Sequence, residues 1–195
     1  MKKFLGWLSA ATFVVALILI PASSSLAREK SEKGEKKLKV GDAFPDVAVR
    51  VTDVKKILGK EKKAIKISDL KGKHVVVWFF PKAMTGGWTI EANGFREKQK
   101  DFAELNTVVV GASTDVLDDQ NKFTAKETLN FPLLADTTQE LTKACGILRP
   151  NGFANRVTFV VDPKGKIAKI YDKVDVKKHP GEVYAFIKKN LDDKK

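Results

Sequence analysis

The stretch HVVVWFFPKAMTGGWTIEANGFRE, residues 74–97, changes its period halfway along. Val75 to Phe80 are apolar at every position, the pattern of a strand buried on both faces. Pro81 lacks an amide hydrogen and ends the ladder. Gly86 and Gly87 supply the backbone freedom of an elbow. From Trp88 the apolar residues fall at helical spacing, with Ala92, Phe95, Phe102 and Leu105 on one face. Glu97, Lys98, Lys100 and Asp101 lie on the other. A strand, an elbow and a helix set a helix N-terminus where many folds place a reactive group. The residue at this mouth is Trp88, whose indole offers nothing but an N–H donor.

Outward from this stretch the periods repeat. Val47 to Val51 and Ala64 to Ile67 alternate as strands, separated by a lysine-rich loop over 55–63. Ser68 to Gly72 is a turn. Thr107 to Ala112 is a second buried strand, after which Ser113 or Asp115 is placed to cap a helix reaching about Leu129. Phe131 to Ala135 is short and extended. Asp136 or Thr137 opens a helix with Leu141, Ala144 and Cys145 inward, ended by Gly146. Val157–Val161 and Ile167–Tyr171 flank Asp162-Pro-Lys-Gly165, a hairpin signal. A last helix covers about Pro180 to Leu191, with Val183, Phe186 and Ile187 inward. Parallel buried strands followed by a late hairpin predict an α/β fold: a central mixed β-sheet with helices on both faces.

The N-terminus has a different composition. Lys2 and Lys3 precede an apolar run from Phe4 to Ile20, and Ser25 and Ala27 mark an A-x-A-like exit. Residues 1–27 are therefore expected to be a signal peptide, cleaved near Ala27 to leave 168 residues (195 − 27), enough for one domain. Residues 28–39 are charged and predict a disordered linker, with the domain over 40–195. The chain carries a net charge of +12, of which the leader holds Lys2 and Lys3. Arginine is confined to Arg28, Arg50, Arg96, Arg149 and Arg156, so the excess is lysine. Nucleic-acid readers depend on arginine for bidentate contacts, so nucleic acid is not an expected partner. Scattered lysine fits a solvated surface or a weak attraction to anionic envelopes. An exported chain with one cysteine, Cys145, has no internal disulfide and depends on its core for stability.

Several separated segments resemble the peroxiredoxin family, in particular the bacterioferritin-comigratory (AhpC/TSA) type within the thioredoxin-like superfamily. They are VGDAFPD (40–46), SDLKG (68–72), FFPKA (79–83), EANGFR (91–96), VGASTD (110–115), FPLLAD (131–136) and RVTFVVD (156–162). The resemblance implies a thioredoxin-like, peroxiredoxin-type fold over Val40 to Leu191. The family motif P-x-x-x-T-x-x-C reads here Pro81-Lys-Ala-Met-Thr85-Gly-Gly-Trp88. By that resemblance Trp88 occupies the peroxidatic cysteine position, and Asn93 the position where a resolving cysteine often follows. Pro81, Thr85 and Arg156 match residues that would support a thiolate. That thiolate attacks the peroxide O–O bond and becomes a sulfenic acid, and indole has no equivalent chemistry.

The same residues have plainer readings. Trp88 fills a pocket at the first turn of a helix, or serves as a stacking platform for a ligand. Thr85 is a turn residue or helix cap. Arg156 is a charge at a strand start, and Glu91 a carboxylate in a helix first turn. Cys145 lies on a core stripe with Leu141 and Ala144, where a thiol behaves as a small hydrophobe; otherwise it is a displaced nucleophile. His74 and His179 have no ligand-like spacing, so no metal and no cofactor is expected. The expectation is a catalytically degenerate peroxiredoxin-like domain that acts by binding or as a structural part. The alternatives are redox activity through Cys145 or a partner, and a lysine-rich binder of anionic envelope polymers. The protein or small-molecule partner is unspecified, and the state is monomer or dimer.

Overall fold

The computed structural model describes residues 37–83 and 86–191, apart from the side chains of Lys56 and of residues 86–88. The expected leader lies outside the described residues, as does nearly all of the expected linker. Seven strands form one sheet in the order β2-β1-β5-β4-β3-β6-β7. They are β1 (Val49–Val51), β2 (Ala64–Ile65), β3 (His74–Phe79), β4 (Thr107–Ser113), β5 (Leu133–Ala135), β6 (Val157–Val161) and β7 (Ile167–Tyr171). Strand β3 pairs parallel with β4 and antiparallel with β6, while β4 pairs parallel with β5. The remaining pairs are antiparallel.

Alternation along β3 builds two cores. Val75, Val77 and Phe79 face one side with Val110, Phe159, Leu141 and Cys145. Val76, Trp78 and Phe80 face the other with Ala92, Phe95, Phe102, Phe123, Val183 and Ile187. The second side is covered by α2 (Gly86–Glu97), α3 (Gln99–Glu104), α4 (Leu117–Lys126) and α6 (His179–Asn190); α1 (Lys55–Leu58) and α5 (Glu140–Ala144) belong to the first. Helices thus lie on both faces of a mixed sheet, as the periods predict. Trp78 anchors the second core: its ring stacks on Phe95 at 5.5 Å between centroids and tilts against Phe80 at 4.7 Å. Such pairs add to the area that an aromatic side chain buries.

Several expectations need correction: α5 starts at Glu140 and not at Asp136 or Thr137, and β2 ends at Ile65, with Ile67–Leu70 forming a 3-10 turn. The stretch 55–63 is not all loop, because Ile57 and Leu58 pack on the core and fold one helical turn, closed by Gly59 at φ 69°. The helix after the elbow starts at Gly86 and is divided at Lys98 into α2 and α3. Helix α4 starts only at Leu117 and carries no side-chain cap, since Ser113 and Asp115 bond elsewhere. In α5, Ala144 is exposed and Thr142 turns inward instead, because the buried Asp136 carboxylate accepts from the Thr142 amide and hydroxyl at 2.7 and 2.6 Å. Glu91 is not in a helix first turn but is the sixth residue of α2, and it is fully buried.

The β6–β7 hairpin matches its expected bounds, with Gly165 at φ 84° and Asp162 accepting from the amides of Lys164 and Lys166. Among the described strands, β4 carries the one glycine, Gly111. A Cβ there would meet Leu133 at 2.6 Å and the Trp78 ring at 3.1 Å, both in a closed core. Gly111→Ala is expected to lower stability by about 1–3 kcal/mol through overpacking. Urea unfolding checks this, and an unchanged midpoint would contradict the packing described.

Candidate functional site

The elbow after β3 is held from beneath. Phe80 donates its amide to the Ala112 carbonyl at 3.0 Å, extending the pairing of β3 with β4. Pro81 and Ala83 are buried. The Ala83 amide donates to Asp115 Oδ2 at 2.7 Å, and the Ser113 hydroxyl donates to the same oxygen at 2.7 Å. Gln120 Nε2, fully buried on α4, donates to Ser113 Oγ at 2.7 Å and to the Leu134 carbonyl at 3.2 Å. The side chains expected to cap α4 therefore pin the elbow. The cue was present in the segment Val110–Asp115, but only the fold shows what Asp115 meets. Thr85 and the Trp88 side chain lie outside the described residues; the backbone of residue 88 is the third position of α2.

Arg156 stands immediately before β6, and its Nη1 lies 3.7 Å from Glu91 Oε2. Glu91 is fully buried, and burial pushes its carboxyl up to about 7 against the opposing pull of Arg156. The same desolvation draws the Arg156 guanidinium below its ordinary value, partly offset by Glu91. His179, which spacing left without a role, opens α6 with its Nε2 3.8 Å from Glu91 Oε1 and 2.8 Å from Thr158 Oγ1. Burial, and then Arg156, pushes its imidazole down to about 4. No spacing rule connects residues 91, 156 and 179; the sheet order and the return of α6 across α2 bring them together.

Asn93, at the second cysteine position, is half-buried on α2 and donates from Nδ2 to Glu127 Oε2 at 3.4 Å. Cys145 is 1% exposed and packs with Val77, Phe159 and Leu141 in the core opposite α2. Desolvation raises its thiol, and the neighbouring Asp136 raises it further. Both effects oppose formation of the thiolate that a nucleophilic cysteine uses. Among the described residues no cluster of three or more His, Cys, Asp or Glu side chains is arranged to hold a metal ion, and no helix is long and apolar enough to cross a membrane.

A parallel β3–β4–β5 core, an elbow into α2, and a β6–β7 hairpin returning beside β3 form a recognisable frame. The AhpC/TSA family model matches residues 40–170. The chain belongs to the AhpC/TSA family. It is 34% identical over 158 residues to peroxiredoxin Bcp of Bacillus subtilis, covering 77% of this chain and 96% of that one. It is 30% identical to peroxiredoxin Bcp of Escherichia coli K12, covering 78% of this chain and 97% of that protein. Among solved structures, peroxidoxin BcpB of Mycobacterium tuberculosis superposes with a TM-score of 0.68 at 28% identity, covering 78% and 98%. A mutant of PrxQ from Xylella fastidiosa gives 0.69 at 25% identity, covering 78% and 96%. The chain is thus a bacterioferritin-comigratory-type member of the family with its thioredoxin-like fold. The family match stops before α6, so His179 falls beyond it.

Asp115→Ala removes the acceptor of two donors at once. It is expected to cost about 1–3 kcal/mol and to raise hydrogen exchange at the Ala83 amide; unaltered exchange there would show that the elbow is held by other contacts. Cys145 is expected to react with a thiol reagent only on the timescale of unfolding, which labelling in native buffer and in denaturant compares directly.

Proposed function

We propose that this chain is an exported peroxiredoxin-family domain that no longer reduces peroxide through a thiol of its own, and that it acts through binding or as a structural part. One observation carries the reading: the residue at the motif's cysteine position is Trp88, and the chain's sole thiol, Cys145, is buried on the far side of the sheet. Thiol peroxidation needs a thiolate that attacks one peroxide oxygen, takes it up as a sulfenic acid and releases the other as water or an alcohol. It then needs a second thiol to reduce the sulfenic acid. Trp88 and Asn93 supply neither. A thiol whose ionisation is opposed by burial and by Asp136 does not replace them.

Export is supported by the basic start, apolar run and small-residue exit of residues 1–27. The elbow supports a role in binding: Asp115 holds the Ala83 amide just ahead of the twelve-residue α2, and Arg156 faces Glu91 within that helix.

Peroxide consumption decides between loss and retention. Wild type and Cys145→Ala are expected to show no thiol-dependent turnover above background, whereas Trp88→Cys gains measurable peroxide consumption with a thiol that ionises below its ordinary value. Turnover in wild type that persists in Cys145→Ala would overturn the loss of activity. An inert Trp88→Cys protein would instead show that the elbow has lost the geometry that a thiolate requires.

A further inference from the structure

Helices α2 and α6 meet closely. A Cβ at Gly94 would lie 2.8 Å from Pro180 Cγ, so the seam has no slack. Within that seam Glu91 and His179 are both fully buried, with Oε1 and Nε2 3.8 Å apart. Among the described residues, neither Glu91 oxygen accepts a hydrogen bond and His179 Nδ1 has no partner. Three polar or ionisable groups among the described residues face the pair. Arg156, before β6, approaches Glu91 at 3.7 Å. Thr158 of β6 meets His179 at 2.8 Å. Tyr171 of β7 sets its ring 5.0 Å from the imidazole, and its hydroxyl lies 3.5 Å from the Glu182 carbonyl. Beyond them, Arg149 repels Arg156.

A buried carboxylate and imidazolium repay their desolvation only with close geometry and further hydrogen bonds. At 3.8 Å, with no hydrogen bond to either Glu91 oxygen or to His179 Nδ1, burial outweighs the pull of Arg156 on the carboxylate and the neutral forms are favoured. We propose that Glu91 and His179 work as one proton-holding unit at the α2–α6 seam: folding moves a single proton from the imidazole to the carboxyl, so two uncharged groups are buried with no net proton taken up or released.

The two titrations then oppose each other. Glu91, raised from 4.5 to about 7, gives a contribution fully present below pH 4.5 and lost as pH rises through about 7. His179, lowered from 6.5 to about 4, gives one fully present above pH 6.5 and lost as pH falls through about 4. Between pH 4.5 and 6.5 the unfolded chain holds one proton on the imidazole and the folded chain holds one on the carboxyl. The pair therefore leaves stability nearly level across that window, and removal of either partner exposes the slope of the other.

Urea unfolding of wild type, Glu91→Gln and His179→Gln from pH 4 to 8 tests this. Relative to wild type, Glu91→Gln should gain stability as pH rises from 4.5 to 7, and His179→Gln should gain as pH falls from 6.5 to 4. In each window the unfolding constant relative to wild type should change on the order of a hundredfold. Differences from wild type that ignore pH, or that slope in the same direction for both variants, overturn the proposal. Where a variant does not fold, carbon-13 titration of the Glu91 carboxyl in wild type decides. A midpoint near 7 keeps the unit, and one near 4.5 removes it.

Discussion

Every residue of β3 is buried, and that constraint organises the molecule. A strand closed on both faces requires partners on both edges and cover on both sides. The parallel β4 and the antiparallel β6 supply the edges. Alternation does the rest, because residues 75, 77 and 79 belong to one core and 76, 78 and 80 to the other. With side chains committed to both cores, the strand has no freedom to slip by one residue. Its C-terminal end, and the elbow that follows, is thereby fixed in space before any site residue is considered.

The elbow inherits that rigidity and adds its own ties. Phe80 continues the ladder to Ala112, Asp115 takes the Ala83 amide, and Gln120 fixes Ser113, which shares the same carboxylate. On the other side, α2 leans on α6 through the contact of Gly94 with Pro180 and through Phe95, whose ring meets His179 edge-on at 5.8 Å. Polar groups are numerous here for a buried region. Each bonded one is specific in geometry, which favours a single arrangement of the elbow.

The periods of the sequence carry most of this. The β3, β4, β6 and β7 runs and the α2 face follow from apolar spacing, and the late hairpin from Asp162 to Gly165. What spacing does not carry is long-range pairing. Ser113 and Asp115 look like helix caps because capping is their commonest local use; the competing acceptor role appears only when the elbow is folded beside them. Ala144 fits a helical stripe, but α5 is five residues long and Asp136 turns Thr142 inward instead. Glu91 looks like a surface carboxylate near a helix start. Its burial follows from where α6 returns, and that depends on the whole sheet order.

The ties that hold the elbow are packing and hydrogen bonds among its neighbours. None of the described contacts involves sulfur: an aspartate takes an amide, an arginine faces a buried acid, and a glycine admits a proline ring. The described ties of this region therefore do not depend on sulfur. The one thiol of the sequence lies in the opposite core. Cys145 sits where volume and apolar character matter and where ionisation is opposed, so its place in the core accounts for it without any reactivity. What the described residues of the elbow present is shape, charge and hydrogen bonding.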